Sequence, residues 1–233
     1  MKKIIRIISV VFAMMFVLSA CNTTDATFTS GTTAPAGESD YDYSYENDSV
    51  VQEEQTTEKK DSNVSYSSGS KVKFTMKNGG EFIVELYPQY APETVGNFVK
   101  LVGEGFYDGL TFHRVVEGFM AQGGDPQGNG FGGSDEEIYG EFASNGFTQN
   151  TLSHQRGVIS MARSDDPNSA SSQFFICYDD ASFLDGNYAA FGMVVEGMDV
   201  VDSFLEAERV YGSDGALSKP VDPIVIAKAE VIS

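Results

Sequence analysis

The sequence predicts a mainly β fold, a closed antiparallel barrel with helices packed on it, and three observations carry that prediction. Apolar and polar residues alternate on both sides of an Asn78-Gly79-Gly80 turn. Short apolar runs then recur between loops of Gly, Asp, Asn and Ser. Two stretches carry helical periodicity, with no strand–helix–strand rhythm of the kind a parallel sheet needs. No internal repeat is visible, so residues 70–233 read as one domain.

Ahead of that domain, residues 1–20 read as an export signal. Lys2, Lys3 and Arg6 form a positive start, and residues 7–18 are almost entirely apolar. Leu18-Ser19-Ala20-Cys21 follows at once and resembles a bacterial lipobox, in which the Cys sulfur takes a diacylglyceryl group. An ordinary secretory signal or a short membrane anchor is the alternative. The apolar run, however, falls short of the ~20 residues a spanning helix needs. Residues 21–69 then read as a lipidated Cys21 followed by a disordered acidic tether. Ten acidic residues face two lysines between positions 22 and 69, with almost no aliphatic side chains to bury. Tyr41, Tyr43 and Tyr45 fit either a binding motif or plain spacer composition. The expected location is a cell membrane, with a lipid holding the folded domain outside the cytoplasm.

In the folded part, Val72, Phe74 and Met76 alternate with polar residues before the turn, and Phe82, Val84 and Leu86 after it, predicting a hairpin. Pro92-Glu93 opens a helix whose apolar face is Val95, Phe98, Val99 and Val102, ended by Gly103 and Gly105. Apolar runs at 157–162, 173–177, 189–195 and 224–231 predict further strands, and 198–209 predicts a second amphipathic helix.

Composition excludes several functions. The formal charge is -19, from 34 acidic and 15 basic side chains, and such a surface repels phosphate backbones, so no nucleic-acid partner is expected. Two His and two Cys support neither a conventional metal site nor a disulfide framework. No metal or cofactor is expected. Asp135-Glu136-Glu137 and Asp165-Asp166 lack calcium-loop spacing and read as solvated loop acids. His113 and His154 read as structural, the latter in a loop or at a strand end, and Cys177 as inert packing.

Chemistry concentrates in FHRVVEGFMAQGGD (112–125), SQFFI (172–176) and FLDG (183–186). One cation, several apolar groups and two amides there suit recognition of a peptide amide rather than bond cleavage. With GVISMAR (157–163), these blocks resemble the cyclophilins, peptidyl-prolyl cis-trans isomerases, from about Val72 to Val231. The resemblance implies an eight-stranded antiparallel barrel capped by two helices. It implies isomerisation of X-Pro bonds in exported or unfolded proteins, with Arg114 as the catalytic residue. Phe119, Met120, Phe175 and Leu184 match the family's proline pocket. Gln122 and Gln173 match residues that hydrogen-bond the substrate backbone and position the arginine, while Ala162 and Arg163 match the edge along which peptide lies. Three positions depart from the best-known members. Phe183 stands where many carry Trp, Tyr188 where they carry His, and Arg163 where they carry Asn. Phe183 keeps an aromatic wall without the indole N–H, so weakened cyclosporin binding is expected. A binding module that holds proline segments with little turnover is the rival reading.

Overall fold

The computed structural model describes residues 69–232. The signal segment, Cys21 and nearly all of the acidic tether lie outside the described residues. The hairpin forms as predicted, from β1 (Lys71–Met76) and β2 (Glu81–Leu86), with Phe74 opposite Phe82. Gly79 takes a positive φ of 90° in the turn, and the Asn78 side chain accepts a bond from the Gly80 N–H at 3.0 Å. Every second residue points into the core, so Val72, Phe74, Met76, Phe82, Val84 and Leu86 are all buried.

Helix α1 (Pro92–Gly103) starts with Pro in its first turn and buries Val95, Phe98, Val99 and Val102. Its cap comes from far along the chain. The buried Glu141 carboxylate accepts the N–H groups of Glu93 and Thr94 at 3.0 and 2.8 Å and the Thr94 hydroxyl at 2.7 Å. An anion at a helix start satisfies donors that the helix itself leaves unpaired and complements its dipole.

The remaining strands are β3 (Thr111–Val116), β4 (Met120–Asp125), β5 (Val158–Met161), β6 (Phe174–Cys177), β7 (Ala190–Glu196), β8 (Arg209–Tyr211), β9 (Leu217–Pro220) and β10 (Ile224–Ile232). Eight of them close in the order β1-β10-β3-β4-β6-β5-β7-β2, and every pairing is antiparallel. Closure gives every barrel strand a neighbour on both sides. The result is the predicted closed eight-stranded barrel with two helices. Phe174 sits at its aromatic centre, 5.5–5.7 Å from the rings of Phe74, Phe98, Tyr107 and Phe112.

The second helix is shorter than the 198–209 pattern predicts. Helix α2 covers Met198–Asp202 and tightens into a 3₁₀ turn at Ser203–Glu206. The tighter turn buries Phe204 against Phe112, with ring centroids 4.8 Å apart. Arg209 then leaves the helical path and bonds the carbonyls of Val115 and Leu205. From there β8 and β9 form a separate two-stranded ladder that the apolar pattern did not reveal.

Candidate active site

Strict alternation from the buried Phe112 would turn Arg114 into the barrel. The β3–β4 register slips at His113, so Phe112 pairs with Gly123 while Arg114 pairs with Gln122. That bulge resets the phase: Phe112 and Val115 face inward and Arg114 faces outward. Across the next strands Gln122 pairs with Phe175, and Met120 with Cys177. Directly opposed residues share a face, so Arg114, Gln122 and Phe175 form a row on the outside of the barrel.

An outer face would ordinarily be polar, yet Met120, Phe175, Cys177, Ala181 and Leu184 form a second buried apolar cluster there. Phe119, Ala162 and Tyr188 pack against it. These groups leave a cavity of about 320 Å³, with Met120, Phe175 and Leu184 in its lining and Arg114, Gln122 and Arg163 supplying polar groups. Ten of the eleven site residues expected from the sequence in this domain line this cavity or its neighbour. Phe183 does not. It is 70% exposed, and its ring lies against Phe119 at 5.6 Å, beside the cavity.

Arg114 is tied on several sides. Its Nε donates to Asp214 at 2.6 Å, and Nη1 makes a long bond to the Gln122 oxygen at 3.4 Å. Nη1 also lies 3.7 Å from the Met120 sulfur, and the guanidinium carbon sits 5.8 Å from the Phe119 ring centre. Asp214 comes from the turn between β8 and β9, a segment in which the sequence showed no site residue.

The glycine-rich loop after β4 is wound around Asp125. Its carboxylate accepts the N–H groups of Gln127, Asn129 and Gly130. Burial works to raise the Asp125 pKa, but these backbone donors hold it below the usual carboxylate value. Gly132 lies so close that a Cβ there would overlap the same carboxylate. Gln173 grips this loop, donating to the carbonyls of Gly130 and Gly132, and accepts from Gln122 at 2.8 Å. A second cavity of about 480 Å³ lies alongside, lined by Gln122, Ala162, Arg163, Gln173 and this loop. The Arg163 guanidinium stacks over both Tyr188 and Phe142, at 4.7 and 5.1 Å, and donates to the Asn187 carbonyl.

His154 has a closer relation to the site than its loop position indicated. It is fully buried, with Nδ1 2.7 Å from Asp185 and Nε2 3.0 Å from the Ser160 hydroxyl. Its ring stacks on Phe175 at 6.0 Å, bracing the pocket from behind. The array has the composition of a nucleophilic triad, but Ser160 is itself fully buried and no substrate can reach it. Cys177 is also sealed in, and burial pushes its thiol up to about 12, which makes it unreactive. Among the described residues, no group of three or more His, Cys, Asp or Glu is placed to hold a metal ion.

Burial lowers the pKa of both His113 and His154 from the ordinary 6.5, against the opposing pull of Asp125 and Asp185 respectively. The unfolded chain therefore binds more protons than the folded one just below pH 6.5. Stability is complete above that value and falls as the pH drops toward the folded-state pKa values. The urea midpoint should be level from pH 8 to 7 and lower at pH 5.5. A midpoint equal or higher at pH 5.5 would contradict this account.

Comparison with known proteins matches this architecture. A family model described as cyclophilin type peptidyl-prolyl cis-trans isomerase/CLD covers residues 71–231. A probable peptidyl-prolyl cis-trans isomerase from Brucella suis is 43% identical over 163 residues, spanning 65% of this chain and 78% of the relative. Peptidyl-prolyl cis-trans isomerase B of Bacillus subtilis is 44% identical over 126 residues, 54% of this chain and 84% of the relative. A Cryptosporidium parvum cyclophilin type isomerase, crystallised in the presence of the dipeptide Ala-Pro, superimposes with a TM-score of 0.61 at 30% identity. That match covers 70% of this chain and 99% of the solved one. The barrel, the arginine beside an apolar cavity on its outer face and these relatives agree: the chain belongs to the cyclophilin-type peptidyl-prolyl cis-trans isomerases and is an enzyme of that class.

Proposed function

We propose that the chain is a lipid-anchored isomerase that uses Arg114 to speed rotation of X-Pro bonds in exported or unfolded proteins. The observation that carries the catalytic part is the guanidinium of Arg114 at the edge of the apolar cavity lined by Met120, Phe175 and Leu184. Amide resonance sets a rotation barrier of ~18–20 kcal/mol, and no bond need break to cross it. A catalyst has only to favour the twisted amide over both planar forms. In the twisted state the prolyl nitrogen loses conjugation and becomes a hydrogen-bond acceptor. The apolar groups seat the proline ring, and Arg114 donates to that nitrogen where little water competes. Gln122 holds the flanking backbone, while Ala162 and Arg163 edge the neighbouring cavity that receives it. Removing ~4–8 kcal/mol from the barrier accelerates exchange roughly a thousand- to a millionfold.

NMR exchange of a short X-Pro peptide with the full-length protein tests this directly. Exchange that is fast with the native chain and lost with Arg114→Ala supports the reading, and peptide binding without acceleration moves the protein to the binding-module class. In the same assay cyclosporin should inhibit weakly, because Phe183 offers no N–H donor at its exposed rim position. Inhibition as tight as in Trp-bearing members would refute that expectation.

The anchoring part rests on the sequence around Cys21. A lipid on that sulfur would place the domain at a membrane surface, outside the cytoplasm, where unfolded exported chains pass. Cells fed labelled palmitate should incorporate it into the native protein and not into the Cys21→Ser variant. Equal labelling of both would remove the lipoprotein reading.

A further inference from the structure

The β8–β9 ladder stands outside the barrel, yet it is fastened to the strand that carries Arg114. Arg209 in β8 donates to the carbonyl of Val115 in β3. Ser218 in β9 is 1% exposed, and its hydroxyl donates to the Asp214 carboxylate at 3.0 Å. The Ala216 N–H donates to the same oxygen at 3.0 Å. The turn is closed tightly as well: a Cβ on Gly212 would lie 2.6 Å from the Ser218 hydroxyl and 2.9 Å from the Asp214 carboxylate. Asp214 is therefore oriented by its own turn through one oxygen, and the other oxygen is left for Arg114 Nε at 2.6 Å.

Which edge of the guanidinium is taken matters chemically. A carboxylate facing both terminal nitrogens would occupy the donors a substrate needs. Asp214 takes Nε alone, and the terminal nitrogen Nη1 stays on the side of Met120, Gln122 and the cavity. Arg is a long side chain with several rotatable bonds, and the bond to Gln122, at 3.4 Å, is too long to hold it alone. We propose that Asp214 is a positioning residue for catalysis: it clamps Nε of Arg114 so that the terminal nitrogens point at the prolyl nitrogen in the cavity.

Burial alone would raise the Asp214 pKa, but the bonds from Arg114, Ala216 and Ser218 hold it below the usual carboxylate value. The clamp is thus charged at neutral pH. The inference rests on the reading of Arg114 as the group that meets the prolyl nitrogen, and it adds a hairpin outside the barrel to the working parts of the site.

The test is a two-by-two set in the full-length protein: native, Asp214→Asn, Arg114→Ala and both together, with kcat and KM measured on an X-Pro peptide. Mispositioning a catalytic group costs up to ~100-fold, so loss of one of its several restraints should lower kcat about tenfold. KM should change less than about twofold, because the proline-seating groups are untouched. In the Arg114→Ala background the second substitution should have no further effect. The Arg114 Nε–H resonance should shift and exchange faster with water in Asp214→Asn, while the rest of the amide spectrum stays in place. An unchanged or raised kcat in Asp214→Asn overturns the clamp while leaving the role of Arg114 standing. An equal loss in both backgrounds also overturns it, since Asp214 would then act through the fold. Full activity in Arg114→Ala brings down both readings together.

Discussion

Arg114→Ala should slow catalysed cis-trans exchange by about a hundred- to a thousandfold, the loss typical when one preorganised donor to developing charge is removed. The fold should survive. Arg114 projects from the outer face, its side chain is 30% exposed, and its ion pair to Asp214 joins two partly exposed groups. Pairs of that kind contribute about 0–1 kcal/mol, so the unfolding midpoint should hardly move. Peptide affinity should fall far less than the rate, since Phe119, Met120, Phe175 and Leu184, which line the cavity proposed to seat the proline, are left in place. Arg114→Lys separates charge from geometry. A point charge lacks the fork that donates at Nε and the terminal nitrogens together, so it should recover only a minor part of the rate. The measurement is NMR exchange with urea melts alongside. A lost rate with an unmoved midpoint supports the assignment; a parallel collapse of the midpoint would mean that Arg114 acts through stability.

Much of this site was legible because its parts come in contiguous blocks. The run from Phe112 to Asp125 spans β3, the turn and β4, so Arg114, Phe119, Met120 and Gln122 are brought together by a single hairpin. Six of the eight barrel strands were visible through alternation and apolar runs for the same local reason, while β3 and β4 carry neither pattern. What escaped was either long-range or broke the local rule. Nothing in Gly212-Ser213-Asp214-Gly215 distinguishes its acid from a solvated turn residue, because the partner lies 100 positions earlier. His154 looked like a loop histidine, since its value comes from Asp185, Ser160 and Phe175 closing around it. Glu141, in a polar-looking stretch, caps a helix by accepting from Glu93, 48 residues before it. The bulge at His113 is a further case. A strict two-residue period would have turned Arg114 into the core, and only the β3–β4 register shows how it faces outward. The second helix was overextended because its apolar spacing continues to Arg209, while burial of Phe204 and the bonds of Arg209 favour a tighter turn and then a strand.

Phe174 and Phe175 offer the sharpest test of how one strand serves two purposes. They are adjacent in β6, similarly buried, and face opposite sides of the sheet. Phe174 points inward to four aromatic rings, with Phe74, Phe98, Tyr107 and Phe112 closed around it. Phe174→Ala should open a cavity there that the closed barrel cannot collapse, costing about 3–5 kcal/mol. For a domain of this size that lowers the melting temperature by roughly 6–20 °C, at about 2–4 °C per kcal/mol. Activity per folded molecule should remain close to native below the transition. Phe175 points outward into the second cluster, between His154 and Tyr188, and lines the candidate proline cavity. Its removal enlarges a space already open to solvent, so Phe175→Ala should destabilise less than Phe174→Ala. It should instead raise KM for an X-Pro peptide about tenfold, as the ring loses roughly 1–2 kcal/mol of apolar contact with proline. Melting curves and kinetics on the pair decide the matter. If both variants lose stability equally and neither changes KM, then the outer cluster is a second structural core, and the proline must be seated elsewhere on the barrel.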